Sequence, residues 1–169
     1  MAAALLDAHL RAAGVEATVT SAGVMTGGQP AWPDAAEVLA ARGFDLSAHE
    51  STRVTVAHVR DADLVLGMTR EHVRDALALD EEAHSRSFTI KELVRRGEAA
   101  PRHDEPLEEW LVSLSSARSA GDLLGASTAD DVADPTGRSR RAVRKTADLL
   151  DDLTARLVRV AWPRSAAAL

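Results

Sequence analysis

Apolar residues recur with helical spacing at both ends of the chain. Residues 2–13 are rich in alanine and leucine, which are strong helix formers, and Leu5, Leu6 and Leu10 fall on one face. Residues 139–160 show the same periodicity over a longer stretch, with polar residues on the opposite face. The pattern therefore predicts a helix at the start of the chain and a long amphipathic helix near its end.

Between these helices the pattern changes to short, nearly unbroken apolar runs. Residues 62–68 (Ala-Asp-Leu-Val-Leu-Gly-Met) are typical of a strand that is buried on both faces of a parallel sheet. Residues 15–20 and 87–89 are predicted to be two further strands. Thr69 is expected to cap a helix that follows the buried strand. Further helices are predicted at residues 34–42, 54–60, 90–96 and 108–120, with a loop at 121–129. Because strands and helices alternate, the predicted class is α/β.

The composition limits the classes of function that these residues can have. The chain has 169 residues, 46% of them hydrophobic, which fits one compact domain, predicted at residues 1–162 with a tail at 163–169. The net charge of −6 argues against a nucleic-acid binder, because such binders neutralise phosphates. No apolar stretch approaches the ~20 residues that span a bilayer, and the first residues do not resemble a signal peptide. We therefore expect a cytoplasmic protein without a nucleic-acid or membrane partner.

The most consequential count is that of cysteine, which is zero. These 169 residues therefore provide no disulfide, no thiolate metal site and no cysteine nucleophile. No sequence pattern indicates a cofactor, so none is expected.

Five stretches occur in an order that carries a family resemblance. They are residues 1–6 (Met-Ala-Ala-Ala-Leu-Leu), 20–23 (Thr-Ser-Ala-Gly), 43–49 (Gly-Phe-Asp-Leu-Ser-Ala-His), 62–68 and 134–137 (Asp-Pro-Thr-Gly). In this order they resemble the low-molecular-weight protein tyrosine phosphatases and their arsenate-reductase-like relatives. The first stretch resembles the helix after the family's phosphate loop, and the last stands where the family has its Asp-Pro-Tyr-Gly acid loop.

The resemblance extends over residues 1–90 and 130–160, and it implies a flavodoxin-like fold, a three-layer architecture around a parallel sheet. The intervening segment, residues 97–129, resembles a longer variant seen in actinobacterial members. The family's Cys-x5-Arg-Ser/Thr loop and the strand before it, which is the central strand of the sheet, have no counterpart in the sequence. A misassigned start codon or a truncated gene would explain the difference.

The resemblance also implies a chemistry. In the family a cysteine thiolate attacks phosphorus, and an aspartic acid protonates the leaving group; here the matching acid is Asp134. The expected substrate is a phosphotyrosine protein or another phosphomonoester, although Thr136 stands where an aromatic residue usually walls the cleft. Without the loop the chain is predicted to be an inactive member of the family. The alternative is a catalytically dead binding or regulatory module. Arsenate reduction is excluded for these residues because it requires cysteine.

Several residues have a simpler interpretation beside the functional one. Asp134 could form only an Asx turn before Pro135, an interpretation that the ordered family match outweighs. His72 could orient a phosphate loop, but a solvated or capping histidine at a helix start is favoured. The His-Asp-Glu cluster at 103–105 lacks a partner at metal-ligand spacing and is interpreted as a surface loop.

A basic run precedes and enters the last helix, where cations oppose the helix dipole. Two interpretations stay open: the run neighbours Asp130 and Asp131, or it forms a positive rim that attracts a phosphorylated partner. The basic residues are Arg138, Arg140, Arg141, Arg144 and Lys145. The three tryptophans, Trp32, Trp110 and Trp162, are interpreted as packing residues.

Overall fold

A computed structural model describes residues 1–125 and 127–163. Of residues 120 and 124 it describes the backbone alone. The helices of the described part are α1 (Ala2–Ala12), α2 (Pro33–Ala40), α3 (Val56–Arg60), α4 (Arg70–Leu79), α5 (Ile90–Ala99), α6 (Leu107–Ser116), α7 (Ala120–Leu124) and α8 (Arg140–Ala161), with a 3₁₀ helix at Glu81–Arg86. The strands are β1 (Val65–Gly67) and β2 (Ser87–Thr89). Of the predicted tail, residues 164–169 lie outside the described residues.

The two strands form a parallel pair, and helices precede and follow each of them. Val65 pairs with Ser87 and Gly67 with Thr89. A Cβ atom on Gly67 would lie 2.9 Å from the Thr69 carbonyl oxygen and 3.0 Å from Val73 Cγ2, so only glycine fits at the end of β1. The predicted α/β class with a parallel sheet is confirmed.

The chain divides into two compact units, the first of which comprises residues 1–54 and 133–155. Its buried side chains come from α1, α2 and the first part of α8, namely Leu5, Leu10, Val38, Leu39, Val143, Ala147 and Leu150. Polar contacts attach α8 to the N-terminal part of this unit. His9 Nε2 lies 2.8 Å from Asp151 Oδ1, and Arg42 Nη2 donates to Asp148 Oδ1 at 2.5 Å.

The predicted strand at residues 15–20 is wrong. These residues have no regular secondary structure and are half-buried or exposed. Among the described residues, no backbone hydrogen bond involves residues 16–22. A strand is stable as one side of a hydrogen-bonded ladder, and β-branched residues alone do not supply the second side.

The second unit comprises residues 55–132 and the chain from Arg156 onward. It contains both strands, and its largest fully buried side chains are Val59, Val73, Phe88, Ile90, Leu93, Val94, Trp110, Leu111 and Leu157. Trp110 is 2% exposed, so the packing role predicted for it is confirmed, and its indole N–H donates to the Ala100 carbonyl oxygen at 2.8 Å.

The predicted loop at 121–129 is partly helical. Ser119 Oγ lies 3.1 Å from Asp122 Oδ2, which also accepts from the Ser119 backbone N–H at 2.9 Å, and this capping box starts α7.

In the described part of the chain, no helix combines the length and the apolar character needed to cross a membrane.

Candidate functional site

A cavity of about 180 Å³ lies in the first unit, at the start of α1. Its lining comes from three stretches of the chain: the first turn of α1, the segment that leads into α2 together with the start of α2, and the loop after α2. The lining residues are Met1, Ala3, Ala4, Ser21, Ala31, Trp32, Ala35, Leu46 and His49.

The first turn of α1, whose backbone N–H groups lack helical acceptors, borders this cavity. Ala3 and Ala4 line the cavity, and their N–H groups have no acceptor within the helix because they belong to its first turn. Among the residues that the structure describes, no side chain caps this end, and the first turn contains no acidic residue. The uncapped N–H groups and the positive end of the helix dipole together favour an anion here.

Short backbone contacts hold the segment that leads from residue 21 to α2. The Gly23 N–H donates to the Thr52 carbonyl oxygen at 2.8 Å, and the Val54 N–H donates to the Gly23 carbonyl oxygen at 2.9 Å. The Gly28 N–H donates to Ser51 at 2.7 Å. These contacts fix the backbone on either side of the exposed Val24 and Met25.

Trp32 and His49 give the cavity an aromatic and a polar lining. Trp32 is half-buried and directly precedes Pro33, which starts α2. A turn in which the His49 N–H donates to the Leu46 carbonyl oxygen at 3.0 Å positions His49. The sequence interpretation of Trp32 as a packing residue missed this position. One signal for this position was present in the sequence. Trp32 lies in a proline-flanked loop, where a tryptophan contributes little to a core.

Asp134 lies in an exposed turn of the first unit. Its Oδ1 accepts from the Thr136 backbone N–H at 2.9 Å, and Gly137 has a φ of 71°, in the left-handed region that favours glycine. Asp134 is not among the residues that line the cavity. The Asx turn is therefore present, and the role of Asp134 as a general acid stays a prediction.

His72 and His103 are both exposed, and the hydrogen bonds described for them come from their backbone N–H groups. His72 is exposed, and its backbone N–H donates to Thr69 Oγ1 at 3.3 Å, as the first turn of a capped helix requires. His103 is also exposed, and its backbone N–H donates to Glu105 Oε2 at 3.1 Å. Among the described residues, no group of three or more histidine, aspartate or glutamate side chains could hold a metal ion.

Asp130 and Asp131, which the sequence offers as neighbours of the basic run, belong to the second unit and have partners there. Their proximity to the basic run stays a prediction. Within the second unit, Asp130 Oδ2 accepts from Arg95 Nη2 at 2.9 Å and from Arg70 Nη2 at 3.5 Å. The hydrogen bond to Asp130 raises the pKa of Arg95 above its usual value. Asp131 Oδ1 accepts from the Arg70 backbone N–H at 2.9 Å. These carboxylates have arginine partners of their own unit, a pairing that residue order alone does not reveal.

Comparison with known proteins places this architecture in a family. The family model "Low molecular weight phosphotyrosine protein phosphatase" matches residues 1–109. A low molecular weight protein tyrosine phosphatase from T. tengcongensis is 29% identical, with a TM-score of 0.69 over 94% of this chain and 87% of that one. A search of curated proteins found no match.

Two similar structures are YwlE proteins. A YwlE mutant from Bacillus subtilis is 26% identical, with a TM-score of 0.69 over 94% of this chain and 86% of that one. The YwlE arginine phosphatase from Geobacillus stearothermophilus is 29% identical, with a TM-score of 0.66 over 94% and 80% of the two chains. Since the family model covers well over half of the chain, the protein belongs to the low molecular weight phosphotyrosine protein phosphatase family.

Proposed function

We propose that this chain belongs to a phosphatase domain of the kind that hydrolyses phosphate monoesters through a cysteinyl-phosphate intermediate. The observation that carries the proposal is the cavity at the uncapped start of α1, inside the part of the chain that matches the family. A tetrahedral anion in this cavity would accept hydrogen bonds from backbone N–H groups, and the helix dipole would favour its charge.

The chemistry needs two groups, of which these residues supply one. A cysteine thiolate attacks phosphorus, the bond to the leaving group breaks, and the departing oxygen takes a proton from Asp134. The Asp134 carboxylate then accepts a proton from water as that water attacks phosphorus, which releases inorganic phosphate and the thiolate. Because the 169 residues contain no cysteine, they are inactive alone.

The proposed substrate is phosphotyrosine in a protein, in the cytoplasm. Trp32 supports this choice because its ring offers a surface on which an aromatic ring could pack. Phosphoarginine is the second candidate, since two of the similar structures carry the name arginine phosphatase. A guanidine leaving group also requires a proton, so Asp134 would have the same role with either substrate.

The test compares two proteins. One is the 169-residue chain, and the other, called here the extended protein, has an apolar strand and a Cys-x5-Arg-Ser-Pro loop placed before Met1. We expect no hydrolysis of p-nitrophenyl phosphate by the first and saturable hydrolysis by the second. Cys→Ser in the added loop of the extended protein is the matched control, and it should abolish turnover.

Two results would separate the alternatives. Turnover by the 169-residue chain that persists on repurification would mean that another residue is the nucleophile. An extended protein that folds and binds phosphate but does not hydrolyse the ester would favour the binding or regulatory module. Parallel assays with phosphotyrosine and phosphoarginine peptides would show which leaving group the site prefers.

A further inference from the structure

The basic run at the start of α8 divides into two parts with different roles. The guanidinium of Arg140 binds two acidic residues of α2, with Nε 3.1 Å from Asp34 Oδ1 and Nη1 2.8 Å from Glu37 Oε1. The other four side chains are exposed and make no hydrogen bond or ion pair with any residue that the structure describes. We call these four the α8 basic face: Arg138, Arg141, Arg144 and Lys145.

The α8 basic face is unfavourable for the fold. Cations in the first turn of a helix oppose its dipole, and α8 has no acidic residue there to offset them. Arg141 also lies three and four positions before Arg144 and Lys145, the spacing at which like charges on a helix repel. The nearest acid along this face, Asp148, already accepts a hydrogen bond from Arg42.

Residues that lower the stability of their own helix, with no compensating contact inside the fold, are expected at functional sites. The position of the α8 basic face fits this expectation. The Arg138 N–H donates to the Pro135 carbonyl oxygen at 3.0 Å and closes the turn that follows Asp134. A closed turn keeps its first and last Cα atoms within ~7 Å. The unpaired cations therefore begin beside the acid loop and continue along one side of α8.

We propose that the α8 basic face binds an acidic peptide segment next to the phosphorylated residue of the substrate. The inference rests on the proposed function and deepens it, since it states the peptide chemistry that the site selects. Arg141 and Lys145 are about 6 Å apart along the helix axis. Two carboxylates two positions apart in an extended peptide span about 7 Å, which matches this spacing.

The overall charge makes such binding specific to this face. The chain carries a net charge of −6, so an acidic peptide is repelled by the molecule as a whole and attracted where several cations without described partners lie together. The attraction acts through water between exposed groups, and it should therefore weaken strongly as salt is added.

The experiment measures binding by the 169-residue chain and requires no catalysis. A fluorescent glutamate-rich peptide and its glutamine counterpart are titrated by anisotropy at about 0.01 M and about 0.15 M salt, where the Debye length falls from ~30 Å to ~8 Å. We expect the glutamate peptide to bind at low salt and the glutamine peptide not to bind. The triple variant R141E/R144E/K145E should lower the affinity at least about tenfold.

Two controls separate binding from folding. Arg53→Glu reverses one exposed cation elsewhere in the first unit and should leave the affinity within about twofold. The variant R141E/R144E/K145E should raise the melting temperature, because glutamates at the start of α8 complement the helix dipole. The triple variant R141Q/R144Q/K145Q, which removes charge without reversing it, should give an intermediate affinity.

Three results would overturn the proposal. The first is that the glutamate peptide does not bind at low salt, and the second is that it binds the triple variant as tightly as the original chain. The third is tighter binding of an oligonucleotide or an anionic vesicle than of the peptide, which would assign the face to a different partner. If the extended protein proves inactive while the peptide binds as expected, the proposed function fails and the docking surface stands.

Discussion

Replacing Arg118 tests which side-chain contacts stabilise the segment between α6 and α7. Its side chain is only 2% exposed, and its guanidinium lies 3.9 Å from the centroid of the Phe88 ring. Its Nε donates to Glu92 Oε1 at 2.9 Å, and Glu92 is 6% exposed. Two backbone carbonyl oxygens, of His84 and Ser87, also accept from Arg118, at 3.0 Å and 2.6 Å.

Arg118→Ala removes all of these contacts at once. Breaking a buried ion pair by removing one partner costs ~3–5 kcal/mol, because the remaining charge stays buried. Arg96 partly offsets this cost, since its Nε still donates to Glu92 Oε1 at 2.8 Å. The two carbonyl oxygens that lose their donor add to the cost. We therefore expect the free energy of unfolding to fall by about 3 kcal/mol.

Urea unfolding followed by circular dichroism measures this change. The matched control is Arg156→Ala, which removes an arginine–carboxylate pair with Glu98 that is 33% and 40% exposed and should cost at most ~1 kcal/mol. Arg118→Lys keeps the charge but not the planar fork, so it should recover only part of the loss.

The double variant E92Q/R118M distinguishes a buried charge from lost packing. It removes the charges of the pair and keeps most of the volume, and it should destabilise the protein less than Arg118→Ala alone. If Arg118→Ala costs no more than Arg156→Ala, or if the double variant is the more damaging, the reasoning from buried charge is wrong.

Three further predictions concern other parts of the chain. Trp32→Ala in the extended protein should raise the KM for p-nitrophenyl phosphate ~2–10-fold with little change in kcat, in steady-state assays, because one aromatic contact is worth ~0.5–1.5 kcal/mol. Gly67→Ala should destabilise the protein by ~1–3 kcal/mol in urea unfolding, since its Cβ would overlap backbone, whereas Gly23→Ala, with open space around it, should not. Hydrogen bonds from Ser119 lower the pKa of Asp122, so the stability that this carboxylate contributes is present above about pH 4 and lost as the pH falls further. Urea midpoints measured from about pH 5 to about pH 2 should therefore fall less steeply for Asp122→Asn.

Elements with a complete local signal could be predicted from the sequence. Residue 69 was expected to cap a helix, and Thr69 Oγ1 accepts from the His72 N–H at the start of α4. β1 lies within the apolar run at residues 62–68, a pattern typical of buried strands, and β2 coincides with the strand predicted at residues 87–89. In each case the residues that specify the element lie within it or next to it.

Features that depend on distant partners could not be predicted. Residues 15–20 have strand-forming residues but no ladder partner in the described part of the chain. The partners of Arg140 lie on α2, more than a hundred positions earlier in the sequence, and no local pattern identifies them.

The same limit applies to the candidate site. The Asx turn at Asp134 follows from its own residue types, whereas Trp32 and His49 line one cavity because two loops meet there. Contacts between loops are set by tertiary packing, for which a single sequence gives no direct signal.

The central claim, that this is a cysteine phosphatase domain with Asp134 as its acid, is tested most directly by leaving-group dependence in the extended protein. For phenyl phosphate, Asp134→Asn should lower kcat by ~10²–10⁴-fold, because a poor leaving group needs protonation. The loss should shrink for p-nitrophenyl phosphate, and Asp130→Asn and Asp131→Asn should change kcat little. An equal loss for both esters, or a larger loss from either neighbour than from Asp134, would contradict the account.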